Sequence, residues 1–78
     1  MNDFEIIKTH QLQPGDINLA GNSFLRIVLD IVYRFQRDDY KIIWLWENGT
    51  TTVYFYSGLT PIKILKTDAN ANNNHKTN

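Results

Sequence analysis

The pair Asn48-Gly49 constrains this chain more than any other feature. Both residues tolerate positive φ, as the two central positions of a type I′ hairpin turn require. Before the pair runs Tyr40-Lys41-Ile42-Ile43-Trp44-Leu45-Trp46-Glu47, and after it Thr50-Thr51-Thr52-Val53-Tyr54-Phe55-Tyr56-Ser57. Both runs are dense in β-branched and aromatic residues, which favour strands. A tight turn sets Trp46 opposite Thr51, Trp44 opposite Val53 and Ile42 opposite Phe55. One face then carries Ile42, Trp44, Trp46, Val53 and Phe55. The other carries Lys41, Ile43, Leu45, Glu47, Thr50, Thr52, Tyr54 and Tyr56. Asn48-Gly49-Thr50 also spells a glycosylation sequon, but the turn accounts for the pair without it.

The preceding stretch, residues 24–37, alternates. Its odd positions Leu25, Ile27, Leu29, Ile31, Tyr33 and Phe35 are apolar, which is the period of a long strand. A helix there would align Arg26, Asp30, Arg34 and Arg37, yet would be apolar over about two-thirds of its circumference, too much for so small a protein to cover. A turn centred on Arg37-Asp38 puts Tyr33 opposite Ile42, Ile31 opposite Trp44 and Leu29 opposite Trp46. The apolar odd face of this strand then joins the Trp face of the next, so two turns agree on one buried side. Upstream, Leu12-Gln13-Pro14-Gly15-Asp16 suits a type II turn leading into a short strand, Ile17-Asn18-Leu19. Downstream, Ser57 to Pro61 breaks the sheet, with room for one 3₁₀ turn before Ile62-Lys63-Ile64-Leu65. Phe4 to Lys8 suits an extra N-terminal strand or a segment lying across one open end.

Composition bounds the rest. The 78 residues allow one domain. Residues 1–66 form it, and 67–78 are expected to be a disordered Asn-rich tail, since Asp68 to Asn78 hold no large apolar side chain. There is no Cys, so disulfides and thiolate metal sites are excluded. Eight basic residues balance eight acidic ones. That neutrality argues against a strongly basic nucleic-acid binder. The start, Met1-Asn2-Asp3-Phe4-Glu5, lacks the basic segment of a secretory leader, and no apolar run reaches membrane-span length. The expectation is a soluble cytoplasmic domain without membrane contact, in the host cytoplasm if the gene is viral.

The arrangement is that of a five-stranded antiparallel small barrel, all-β. It resembles the SH3-like barrels in Leu12, Pro14-Gly15-Asp16-Ile17, the Asn48-Gly49 hairpin, and the Ser57 to Pro61 break before Ile62. It is also similar to small barrel proteins from bacteriophage and bacterial genomes. The resemblance is architectural, covers most of residues 10–66, and implies no active site. Polyproline-binding SH3 domains carry an acidic, aromatic-rich first loop; here residues 17–22 hold no aromatic.

Chemistry is sparse in the pattern. His10 and His75 lack a nucleophile or acid partner by spacing, and the four glycines are spread one per turn rather than forming a phosphate loop. Asp38-Asp39 reads as turn chemistry before cation binding. No catalytic residue, metal ligand or cofactor is expected. The informative surface is the outer face of the three-strand meander. It centres on Val32, Ile43, Leu45 and Tyr54, with Tyr56, Arg34 and Lys41 at the rim. An apolar centre with such a rim fits a protein interface. These seven residues are the expected partner-binding set of a non-enzymatic protein-binding module, either a phage accessory protein or an inhibitor that occludes its partner. Two other occupants of the face stay open: the N-terminal segment with Phe4, Ile6 and Ile7, and a second copy of the chain, so the protein is a monomer or a homodimer. The alternative function is single-stranded nucleic-acid binding by Tyr54 and Tyr56 with Arg26, Arg34, Arg37 and Lys41. Metabolite binding in a barrel end is a residual third reading.

Overall fold

The computed structural model of the chain describes residues 3–21 and 23–66. The expected tail at 67–78, with His75, lies outside the described residues. Six strands follow one another: β1 (Phe4–Lys8), β2 (Ile17–Ala20), β3 (Phe24–Arg34), β4 (Asp39–Trp46), β5 (Thr51–Ser57) and β6 (Pro61–Leu65). They form one open antiparallel sheet in the order β1-β6-β2-β3-β4-β5. The count is six rather than the expected five because Phe4–Lys8 pairs along its whole length with β6, from Phe4 opposite Leu65 to Lys8 opposite Pro61. A 3₁₀ turn does occur, at Thr9–Gln11. The break after β5 is instead a simple turn, closed by the Thr60 N–H donating to the Ser57 carbonyl. Pro14-Gly15 sits as expected: Gly15 has φ +96° and the Asp16 N–H donates to the Gln13 carbonyl.

The sheet is coiled. In a flat sheet, β6 and β4 would lie about 14 Å apart, three strand spacings. Yet Ile62 and Ile64 of β6 share one buried cluster with Ile42 and Trp44 of β4, Val28 of β3, and Leu12. Curling brings these inner-face side chains together, with Ile7, Ile31, Tyr40 and Tyr56 packed around them. At one end the chain after β1 docks on the turn after β5. The Thr9 N–H and hydroxyl both donate to the Thr60 carbonyl at 2.9 Å, and the His10 N–H donates to the Gly58 carbonyl at 3.0 Å. Those bonds account for a fully buried threonine.

Both predicted registers shift, for identifiable local reasons. The β4–β5 loop has three residues, not two. The Gly49 N–H donates to the Trp46 carbonyl, the Trp46 N–H donates to the Thr50 carbonyl, and Gly49 has φ +90°. This is a type I turn closed by a glycine bulge. Asn48 lies inside it, its Oδ1 accepting from the Thr50 N–H and hydroxyl. Trp44 therefore faces Thr52, and Ile42 faces Tyr54. A one-residue slip exchanges the faces of a strand. Val53 and Phe55 turn outward; Tyr54 and Tyr56 turn inward.

The β3–β4 loop spans residues 35–38, with Asp38 at φ +52°, and pairs Tyr33 with Tyr40 and Ile31 with Ile42. A bulge at Leu29 then interrupts the ladder between Val28 and Asp30. Beyond it the alternation inverts, so Val28 and Arg26 point inward against Trp44 and Trp46. Leu25 and Ile27, expected in the interior with Leu29, lie on the outer side.

The Gly49 bulge carries a testable cost. A Cβ there meets nothing within 4 Å, so only the backbone angle resists substitution. Gly49→Ala is expected to lower unfolding free energy by about 1–2 kcal/mol, the penalty of positive φ for an L-residue. Urea denaturation measures it, and Gly49→Asn should cost less because asparagine tolerates this region better.

Candidate functional site

The outer face of β3–β4–β5 is apolar and open. Across the three strands its rows read Arg34–Asp39–Ser57, Val32–Lys41–Phe55, Asp30–Ile43–Val53 and Ile27–Leu45–Thr51. Val32 is 45% exposed, Val53 45% and Phe55 51%; Ile27 and Leu29 are exposed beside them, around half-buried Ile43 and Leu45. Toward β2 the face dips into a groove of about 350 Å³ lined by Ile17, Leu25, Ile27 and Leu45, with Glu47 at its edge. Single exposed apolar residues are ordinary, but a connected set on one sheet face marks an interaction surface.

Charges frame this set. Arg34 grips Asp39 with two bonds of 2.7 Å, Nε to Oδ1 and Nη2 to Oδ2. The same guanidinium lies 4.1 Å from the Phe55 ring centroid. The hydrogen bond from Arg34 holds the Asp39 carboxyl below the usual carboxylate range. Because the pair is partly exposed, its value lies in fixing Arg34 over Phe55 more than in stability. Glu47 accepts the Leu25 N–H at 2.7 Å, and Asp30 accepts the Ile31 N–H at 2.9 Å.

Five of the seven expected partner-binding residues share this face: Val32, Arg34, Lys41, Ile43 and Leu45. Tyr54 and Tyr56 are on the opposite side, and Val53 and Phe55 take their places. The signal missed was the third loop residue, which chain chemistry allows as readily as the second. The N-terminal strand pairs with β6 and leaves Val32, Val53 and Phe55 exposed, so it does not cover the face.

The inner face holds an unusual centre. Arg26 is 9% exposed. Its guanidinium carbon sits 3.9 Å from the Trp44 ring centroid, 4.9 Å from Trp46 and 5.3 Å from Tyr54. Arg26 Nε donates to Asn18 Oδ1 at 2.7 Å, and Nη2 reaches the Tyr56 hydroxyl at 3.4 Å. Asn18 in turn donates from Nδ2 to the Lys63 carbonyl. Among the described residues no carboxylate pairs with Arg26; the only ion pair is Arg34–Asp39. Aromatic faces and one amide oxygen hold the cation instead. Trp46 Nε1 donates to Thr52 Oγ1, whereas buried Trp44 Nε1 has no partner among the described residues. No sequence signal marks Arg26 as interior, because only the Leu29 bulge turns it there.

The remaining candidates are weaker. His10 shares a hollow of about 370 Å³ with Tyr33, Asp38, Tyr40, Ser57 and Leu59. There the Tyr33 hydroxyl donates to Asp38 Oδ1 at 2.8 Å, and that hydrogen bond raises the phenol above its ordinary range. Asp38 and Asp39 are thus engaged separately. Among the described residues no group of three or more His, Cys, Asp or Glu is placed to hold a metal ion. No helix among them is long and apolar enough to cross a membrane.

The chain matches no family model, and no curated relative or solved structure matches it.

Proposed function

We propose that this protein is a small non-enzymatic protein-binding module that seats a partner protein on the outer face of β3–β4–β5 and acts by occluding it. The carrying observation is the connected exposed set Ile27, Leu29, Val32, Val53 and Phe55 around Ile43 and Leu45. Its anatomy is that of an interface: an apolar centre crossed by Lys41 between Val32 and Phe55, with Arg34, Asp39 and Glu47 at the rim. The strand order supports an SH3-like barrel as the underlying fold. β2 to β5 run as a meander and β6 returns beside β2. The likeness to small bacteriophage barrels is the basis for a phage accessory or inhibitor role in the host cytoplasm.

The nucleic-acid alternative is less well supported. It needs stacking aromatics and cations on one surface. Tyr54 and Tyr56 lie on the inner side, Arg34 and Lys41 on the outer, and Arg26 is already enclosed by rings.

The double substitution Leu29→Ser/Val32→Ser tests the reading. Both residues are exposed, so the fold should survive, as cooperative thermal unfolding would report. Affinity capture from the native host should lose its specific partner by roughly thirtyfold or more, the scale of an interface hot spot. Capture of every partner at undiminished strength would reject this face.

A further inference from the structure

We propose that β5 is a self-pairing edge, joining two copies of the chain through an antiparallel β5–β5 ladder. This does not rest on the outer-face reading. It concerns backbone groups at the rim of the sheet.

β5 ends the strand order, so one of its sides has no neighbour among the described residues. The direction of its backbone groups follows from the hairpin. Trp46 directs its N–H and carbonyl toward β5, and alternation along an antiparallel pair makes Trp44–Thr52, Ile42–Tyr54 and Tyr40–Tyr56 the hydrogen-bonded pairs. Thr51, Val53 and Phe55 therefore aim their N–H and carbonyl groups away from β4, at the open side.

Proteins protect such edges with charges, proline, bulges or shortness. β5 has none of these within Thr51-Thr52-Val53-Tyr54-Phe55-Tyr56-Ser57, seven uncharged residues of high strand preference. The other edge strand, β1, carries Glu5 and Lys8.

The occupant follows from the strand's own symmetry. An isologous pair places a two-fold axis at Tyr54. Tyr54 then faces Tyr54 of the second copy, Val53 faces Phe55, Thr52 faces Tyr56, and Thr51 faces Ser57. The outward-directed Val53 and Phe55 meet twice across the axis, so the ladder forms without a slip; Ser57, whose carbonyl already accepts the Thr60 N–H, lies at its end. Every opposed side-chain pair is aromatic with aromatic, apolar with apolar, or includes a threonine. No like charges meet. Both copies present Val53 and Phe55 on the same side, so the two outer faces become continuous.

The test uses the full chain. Sedimentation equilibrium from low micromolar to near-millimolar concentration should show the mass rising toward twice the monomer value. Amide exchange by NMR should slow at Val53 and Phe55 by about tenfold or more as concentration rises. Tyr54 and Tyr56, already in the β4 ladder, should be protected throughout. Val53→Pro removes only an outward N–H and should return the chain to monomer with unfolding still cooperative. If that variant does not fold, Val53→Lys serves instead, placing two cations near the two-fold axis. A monomer at every concentration overturns the proposal. So does concentration-independent protection of Val53 and Phe55, which would mean another segment of the same chain covers the edge. Dimers that survive in a folded Val53 variant also overturn it, by assigning association to another surface.

Discussion

Trp44→Ala is expected to leave the chain without a cooperative unfolding transition at 25 °C. Trp44 is fully buried and joins side chains from β3, β4 and β6 that the coiling of the sheet brings together. Truncating a buried tryptophan costs about 3–5 kcal/mol through lost burial and the cavity left behind. A domain of this size has a total stability of about 3–9 kcal/mol at the usual per-residue scale. The substitution therefore removes most of the margin in a chain with no disulfide to compensate. Trp44→Phe is the instructive partner. It keeps a ring beneath Arg26 but deletes the Nε1 donor that lacks an acceptor among the described residues. An unpaired buried donor costs about 1–3 kcal/mol, so its removal offsets part of the lost volume. Near-UV circular dichroism with urea titration distinguishes the cases. A Trp44→Ala variant with a wild-type midpoint would show that the cluster does not carry the fold.

Arg26→Met is expected to destabilise the protein by about 2–4 kcal/mol, although it removes a buried charge that has no acidic partner among the described residues. The guanidinium contributes stacking on Trp44 and contacts with Trp46 and Tyr54, and its Nε satisfies Asn18 Oδ1. Methionine fills much of the same space but leaves the buried amide oxygen unpaired. Adding Asn18→Leu should recover part of the loss, because replacing both polar partners removes the orphan as well as the charge. Recovery stays incomplete, since Asn18 Nδ2 also serves the Lys63 carbonyl. Arg26→Lys should not rescue: an ammonium neither stacks nor presents the planar fork. Chemical denaturation of the single and double variants gives the coupling between the two sites. Strictly additive effects would mean that Arg26 and Asn18 do not act as a pair.

The strand segments were legible because their determinants are local. Period-2 alternation, β-branched and aromatic runs, and the Pro14-Gly15 and Asn48-Gly49 turns all act within a few residues. Thus β3, β4 and β5 fall within a few residues of their expected spans, and Val32, Arg34, Lys41, Ile43 and Leu45 share the expected outer face. What could not be read was parity. Asn48-Gly49 serves equally as the two-residue centre of a type I′ turn or as the last two positions of a three-residue bulged loop, and the two choices differ in which side Tyr54 and Phe55 occupy. At Leu29 the alternation is unbroken in the sequence, yet the ladder is not.

The sequence alone therefore determined the all-β class, the order of the meander and the positions of the turns at Pro14-Gly15 and Asn48-Gly49. The tertiary structure decided which side of each strand is interior. Turn chemistry and strand preference are short-range and act within a few residues. Facing is a property of the whole sheet: a single extra residue in a loop or a bulge inverts it, and only the packing of Trp44, Arg26 and the β6 isoleucines in one coiled interior selects between the alternatives.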